Sequence, residues 1–386
     1  MARVLSGARI FTGERILEGH SVVLEGGRIG AVVPDPALPA GADVVRLPGD
    51  SLLTPGFIDA QVNGAGGMLF NETPTAEAAL AIAAAARRSG TTGLLPTFIT
   101  DEQPKMRRAC EAALEGLARP ASGVLGIHLE GPFISAARPG VHEPRYIRAP
   151  EAQDIDYLMA LPRRMGQWGR VVMTLAPEQV EDTLLTRLAS EGVLLSAGHT
   201  AASYERTREA VAAGVRGFTH LFNAMPPVNN RQPGPVLAAF DTEETWCGII
   251  ADGIHVHPAL LRLLVKGKQP GKVFLVTDAM PPVGTDACSF QLYGQTILRR
   301  DGRLVTENGT LAGADIDMAT SVRNCVSMLG LSLEEGLRMA SLYPARFLGL
   351  EERLGRVAPG YRADLTLLRP DLTVVGTWVD GQEQWY

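Results

Sequence analysis

Glu130 closes the stretch Gly126-Ile127-His128-Leu129-Glu130 and is followed at once by Gly131-Pro132. The apolar run from Val124 to Ile127 reads as a buried strand, and the proline ends it because it has no N–H to continue a ladder. A carboxylate delivered by such a strand needs a cation, a metal or a hydrogen-bond network. Other apolar runs end in the same way, on Gln61 and Asn63, on His199, on His220, on Asp252 with His255, and on Asp278. Any one of these residues has an ordinary explanation as a turn cap. Two histidines and a carboxylate brought together make a ligand set suited to Zn²⁺ and related divalent metals, with one position open for water. His128 shares strand parity with Glu130, which makes it a rival ligand or a support for one. Asp278 ends the run Val273-Phe274-Leu275-Val276-Thr277 and is placed to take a proton from an activated water and pass it on. His142, in the loop Ile134–Arg148, could polarise a carbonyl group.

These residues meet only if their strands lie side by side. Apolar strand candidates run over Leu53–Ala60, Thr91–Phe98, Val124–Leu129, Val171–Leu175, Val193–Ala197, Val215–Thr219, Trp246–Ile250 and Val273–Val276. Helical patterns separate most of them, at Ala76–Ser89, Lys105–Ala118, Pro150–Met159, Glu178–Ser190, Ser203–Ala213 and Pro258–Val265. Near-continuous apolar strands joined by helical crossovers are the pattern of an α/β (β/α)₈ TIM-type barrel, which keeps its chemistry at the carboxyl ends of the strands. Between the sixth and seventh strands the helical signal is poor. After the eighth, Phe290–Val305 reads as an inserted β-hairpin, followed by helical pieces at Ile316–Met328, Leu333–Ser341 and Tyr343–Leu348.

The two ends of the chain have a different character. Val4–Ile10, Ser21–Leu24 and Arg28–Val33 are short strands, with a hairpin turn at Gly26-Gly27. Ala363–Leu368 and Leu372–Trp378 are their counterparts near the C-terminus. Neither tail carries enough apolar surface to fold alone, so both are expected in one small β-domain. The expected division is residues 1–53 and 351–386 for that domain and 54–350 for the barrel.

With 386 residues and 46% hydrophobic content, the chain can bury a large core. A net charge of −6 argues against nucleic acid as a partner. The four cysteines form no CxxC pair, which fits reduced thiols and a cytoplasmic setting. The N-terminal stretch carries Arg3, Arg9 and Glu14 and reads as having no signal peptide. The apolar stretch Leu80–Ala86 stops at Arg87-Arg88, too short to span a bilayer, so no membrane partner is expected.

Several segments together resemble the N-acetylglucosamine-6-phosphate deacetylases of the amidohydrolase superfamily. They are Gly56-Phe57-Ile58-Asp59, His128-Leu129-Glu130-Gly131-Pro132, Leu175-Ala176-Pro177-Glu178, Ala197-Gly198-His199-Thr200, Thr219-His220-Leu221-Phe222-Asn223-Ala224-Met225, Ala251-Asp252-Gly253-Ile254-His255 and Val276-Thr277-Asp278-Ala279. The resemblance covers nearly the whole chain and implies a metal-bearing barrel with a β-sandwich built from both chain ends. It implies that Glu130, His199 and His220 bind one divalent metal, Zn²⁺ by first choice with Fe²⁺, Co²⁺ or Mn²⁺ as alternatives. Asp278 would be the general acid/base, and His142 would polarise the acetamide carbonyl. Asn223, Ala224, His255 and Arg231 would hold the sugar phosphate, with Gly313 near the sugar and Arg231 reaching across a homodimer. Many amidohydrolases carry His-x-His at the end of the first strand, where this chain has Gln61-Val62-Asn63, counted here with the substrate-binding residues. That departure points to one metal. Ala314-Asp315-Ile316-Asp317 also departs from the small-residue run usual after Gly313, which bears on sugar specificity. The alternatives are a deacetylase of N-acetylgalactosamine 6-phosphate or of N-acyl amino acids, and a metal-free structural protein on the same fold. Arg231 with His255 favours a phosphorylated substrate over an amino acid, and retention of Glu130, His199, His220 and Asp278 argues against a metal-free protein.

Overall fold

The computed structural model describes residues 2–37 and 41–386. Residues 1 and 38–40, part of the expected segment 1–53, lie outside the described residues. Eight parallel strands form the central sheet in sequential order. They are Phe57–Val62, Thr91–Ile99, Gly126–Glu130, Arg170–Leu175, Leu194–Ala197, Val215–Phe218, Trp246–Ile249 and Val273–Leu275. The ring closes between its last and first members. Asp278 N donates to Gln61 O at 2.9 Å, Asn63 N donates to Ala279 O at 2.9 Å, and Val62 bridges Ala279 in parallel. The expected TIM-type barrel is therefore present. Its strands are apolar on both faces because side chains fill the inside and helices cover the outside.

The crossover helices are α1 (Ala76–Arg87), α2 (Gln103–Leu117), α3 (Ala152–Met165), α4 (Asp182–Ser190), α5 (Tyr204–Ala212), α6 (Gly234–Asp241) and α7 (Pro258–Gly267). Side-chain caps fix several of their starts, Thr75 for α1 and Ser203 for α5 among them. Helix α6 is the one with the poor sequence signal. It begins on Pro233-Gly234-Pro235 and continues Val236-Leu237-Ala238-Ala239-Phe240, so it has neither a polar cap nor a polar face. The buried amine of Lys268 holds its C-terminal end, donating to Ala239 O at 2.7 Å and to Thr242 O.

The expected first strand, Leu53–Ala60, divides in two. Leu52–Pro55 leaves the barrel to pair in parallel with Arg9–Phe11 and antiparallel with Leu365–Leu368. Phe57–Val62 alone belongs to the barrel. Gly56 is the crossing point, where a Cβ would lie 1.9 Å from Thr92 Oγ1. Likewise Val4–Ile10 divides into Arg3–Ser6 and Arg9–Phe11, in different sheets. Strands from both chain ends thus share one six-stranded sheet, to which Gln382–Trp385 adds an edge strand the sequence reading lacked. It faces a four-stranded sheet containing Arg3–Ser6 and the hairpin around Gly26-Gly27. Leu5, Val22 and Leu24 from one sheet and Leu53, Leu365 and Trp378 from the other make the core between them, which is the expected β-sandwich.

After the barrel closes, the expected hairpin is a four-stranded antiparallel sheet over Ser289–Leu292, Gln295–Arg300, Arg303–Val305 and Leu311–Ala314. Its last strand returns to the barrel, where Ala314 N donates to Asp278 O at 2.9 Å. Helices α8 (Met318–Ser327), α9 (Leu333–Ala340) and α10 (Leu342–Phe347) follow. No helix among the described residues is long and apolar enough to cross a membrane.

Candidate metal centre and its pocket

Strand ends deliver the polar groups. Glu130 is the last residue of the third barrel strand, while His199, His220 and Asp278 sit just past the fifth, sixth and eighth. Those three adopt φ of 47°, 31° and 52°, a left-handed conformation that non-glycine residues rarely take. Such backbone costs roughly 1–3 kcal/mol per residue and persists where the surroundings over-determine it. Here it turns the side chains inward over the barrel mouth.

Glu130 Oε1 lies 3.0 Å from His199 Nε2 and 3.0 Å from His220 Nε2, and the two nitrogens are 3.2 Å apart. Adjacent ligand atoms of a tetrahedral zinc site stand on the order of 3.3 Å apart, so the triangle has the size of one tetrahedral face. His199 Nδ1 is 3.0 Å from Arg138 O. A carbonyl only accepts, which puts that ring's proton on Nδ1 and leaves a lone pair on Nε2. Two acceptors then face each other, an arrangement that suits a cation held by both. His220 Nδ1 is buried without a partner, so no second bond fixes that ring as a donor. Burial works to raise the Glu130 carboxyl, yet the adjoining His199 and His220 rings hold it well below the usual carboxylate range. His220 shifts the opposite way, burial lowering it and Glu130 raising it more. The cluster is built around one positive charge, and its donor set fits a divalent cation.

His128 is not part of it. Its Nε2 is 2.7 Å from Thr174 Oγ1 and its Nδ1 3.3 Å from Thr97 Oγ1, so both nitrogens are occupied beneath the cluster. Burial pushes its pKa down to about 4. It supports the strands and is no rival ligand.

The seam between the first and eighth strands is satisfied by amides. Gln61 Nε2 donates to Glu130 Oε2 at 3.0 Å and to Asp278 Oδ1 at 3.2 Å. Asn63 Nδ2 donates to the same Asp278 oxygen at 2.6 Å. Oδ1 is thereby engaged, and Oδ2 is the oxygen left for proton traffic. Burial first, and then the Glu130 charge, raise Asp278 to about 6. Below it Asp59, which the sequence reading left without a role, takes Thr277 Oγ1–H at 2.5 Å and the N–H groups of Gln61 and Thr277. Burial pushes Asp59 up to about 7 despite these bonds. It locks the strands that carry Gln61 and Asp278.

Above these groups opens a cavity of about 370 Å³. Of the sequence candidates, Asn63, Glu130, His142, His199, His220, Asn223, Ala224, His255, Asp278 and Gly313 all line it. Gln61 does not, since it lies under the carboxylates. Asp252 Oδ2 holds His255 Nδ1 at 2.6 Å, and Asn223 Nδ2 donates to His220 O at 2.9 Å. Arg231 also stands apart. It is exposed on the loop after the sixth strand and does not line its own chain's cavity. The sequence reading missed Ile99, Met280 and the Gly309–Leu311 tip of the inserted sheet. It missed Thr100 as well, although Thr100 follows the second strand as Glu130 closes the third.

The chain matches the Amidohydrolase family over residues 52–383 and the NagA composite domain over residues 4–52. It is 37% identical to an N-acetylgalactosamine-6-phosphate deacetylase of a Shewanella species, covering 98% of this chain and 95% of that protein. It is 36% identical to the N-acetylglucosamine-6-phosphate deacetylase of Haemophilus influenzae, covering 99% of each. A solved structure of N-acetylglucosamine-6-phosphate deacetylase from Pasteurella multocida superposes with a TM-score of 0.95 at 36% identity, covering 100% of both chains.

Proposed function

The chain belongs to the amidohydrolase family, and we propose that it hydrolyses N-acetylglucosamine 6-phosphate to glucosamine 6-phosphate and acetate. The observation that carries this reading is the joint presence, at one cavity, of the Glu130, His199 and His220 cluster and the amide-anchored Asp278. Glu130 Oε1 and the two Nε2 atoms would hold the cation, with Zn²⁺ the first choice for this donor set. When bound, it supplies Lewis-acid polarisation and makes water acidic enough to deprotonate near neutral pH.

Asp278 Oδ2 takes the proton of the attacking water as the O–C bond forms at the acetamide carbon. It then returns that proton to the sugar nitrogen, so the C–N bond breaks to a neutral amine instead of an amide anion. His142 lies beside His199, with ring centroids 4.4 Å apart, and would donate to the carbonyl oxygen as negative charge gathers there. Asn223, Ala224 and His255 would bind the sugar phosphate, with Gly313 beside the sugar.

We further propose a homodimer in which Arg231 reaches the phosphate in the neighbouring subunit, since it is exposed and remote from its own cavity. Guanidinium offers phosphate paired charge-assisted hydrogen bonds, which matter in a chain of net charge −6. The division into a barrel and a sandwich built from both chain ends is proposed with it, its first boundary moved from residue 53 to Gly56 because Leu52–Pro55 pairs within the sandwich. A cytoplasmic setting is proposed as well, supported by the unpaired cysteines. A second reading, the C4 epimer N-acetylgalactosamine 6-phosphate, is favoured by the name of the Shewanella relative. An acetate-release assay with both epimeric sugar phosphates and with unphosphorylated N-acetylglucosamine tests the reading. Highest kcat/KM on N-acetylglucosamine 6-phosphate supports it, and a higher value on the other epimer replaces it.

A further inference from the structure

Thr100 is buried at the end of the second barrel strand, where its hydroxyl touches two groups of the site. Its Oγ1 lies 2.8 Å from His142 Nδ1 and 3.2 Å from the carbonyl oxygen of Glu130. The residue is fixed on both sides. Its own carbonyl accepts the Tyr293 hydroxyl, and Ile99 pairs with Glu130 in the sheet. The facing backbone is shaped around it, because a Cβ on Gly131 would lie 2.0 Å from the Thr100 oxygen. His142 Nε2 makes no hydrogen bond within the chain and is not among the buried unpartnered atoms, and the ring lines the cavity.

A neutral imidazole carries one proton, so its two nitrogens have opposite roles. With the proton on Nδ1, Nε2 would turn a lone pair toward the cavity and repel a carbonyl oxygen. With Thr100 donating to Nδ1, the ring proton must sit on Nε2, where it can be given to that oxygen. The Glu130 carbonyl can only accept, Nδ1 accepts only when Nε2 carries the ring proton, and the hydroxyl has a single proton to give. Of its two contacts the shorter, 2.8 against 3.2 Å, is the one to His142.

We propose that Thr100 is a positioning residue that donates its hydroxyl proton to His142 Nδ1 and so holds the Nε2–H tautomer facing the acyl oxygen. This rests on the deacetylase reading for its consequence, though the tautomer itself can be observed without turnover. Losing the donor would let the ring populate the Nδ1–H form, which cannot stabilise an oxyanion. The loss should fall short of the ~10²–10³-fold seen when an oxyanion donor is deleted outright, because the correct tautomer stays partly populated.

The test uses the metal-loaded enzyme with Thr100→Val, Thr100→Ser and His142→Gln. Nitrogen-15 spectra of labelled histidine, with His142 assigned by its absence in His142→Gln, should show Nε2 protonated in the unaltered protein and a shift toward Nδ1–H in Thr100→Val. In steady state, Thr100→Val should lower kcat about tenfold or more with metal content and KM unchanged, and Thr100→Ser should restore most of it. An Nδ1–H ring in the unaltered protein overturns the proposal whether or not Thr100→Val folds. So does a folded, metal-loaded Thr100→Val with normal kcat, or a Thr100→Ser no better than Thr100→Val. Full activity of His142→Gln would instead remove His142 from the deacetylase reading, and the spectra would still decide the tautomer.

Discussion

On one side of the pocket, Glu130, His199 and His220 turn their ligand atoms toward a single point. On the other, Gln61 and Asn63 turn amide N–H groups onto Asp278 and the second oxygen of Glu130. Both sides gather carboxylates in a buried space, where unpaired charge is costly. The first is arranged so that only a cation completes it. In the second, Glu130 Oε2 and Asp278 Oδ1 are held within the chain, because the two protons of the Gln61 amide nitrogen are shared between the two carboxylates. The difference teaches that neutral amides can do between carboxylates what a further metal would otherwise do, while leaving Asp278 Oδ2 free for proton transfer.

The largest predicted effect breaks the cation side. His199→Ala and His220→Ala should each lose bound metal and essentially all acetate release, because two remaining ligands make an inadequate site. Elemental analysis of the purified variants checks it. Breaking the chemistry on the amide side should leave the metal in place. Asp278→Asn should keep metal content and KM while turnover falls by ~10²–10⁴-fold, the usual contribution of a general acid–base group.

The barrel was legible because its strands are continuous apolar runs, and the cation side because Glu130, His199 and His220 are chemically conspicuous where those runs stop. What escaped the sequence lacked such a signal. Helix α6 has no polar face and starts on Pro-Gly-Pro, so it looked like loop. Leu53–Ala60 is one apolar run in sequence but two strands in space, because Gly56 carries the chain between sheets. Gln61 was legible as a departure from His-x-His, yet its place under the carboxylates depends on side-chain direction at the barrel seam, which sequence does not encode locally. Thr100 and the Gly309–Leu311 tip are ordinary residue types that only the closed fold brings to the site.

A smaller effect is expected at the distal phosphate. Arg231→Ala should mainly raise KM for the phosphorylated sugar and leave an unphosphorylated analogue nearly unaffected. Mixing Arg231→Ala chains with Asp278→Asn chains should recover activity at low substrate, since one site of each mixed dimer then has both groups intact. No recovery after demonstrated subunit exchange would place Arg231 in its own subunit's site or outside it.

The smallest effect sharpens the amide side. Asn63 donates a hydrogen bond that lowers the Asp278 pKa against burial and the Glu130 charge. Asp278 must be ionised to accept the water's proton. Removing the donor in Asn63→Ala disfavours the ionised form, so the acid limb of the kcat profile should move to higher pH by less than about one unit. A limb that stays in place or moves to lower pH would mean that the amide does not tune Asp278.

The contrast between the two sides comes down to how many cations the site needs. Metal-free protein should be titrated with Zn²⁺ while bound metal and acetate release are followed together. One equivalent per chain restoring full activity, with no further gain from a second, is the predicted result. Activity that appears only as a second equivalent binds would contradict the account, because it would put a cation where Gln61 now bridges the carboxylates and Asn63 holds Asp278.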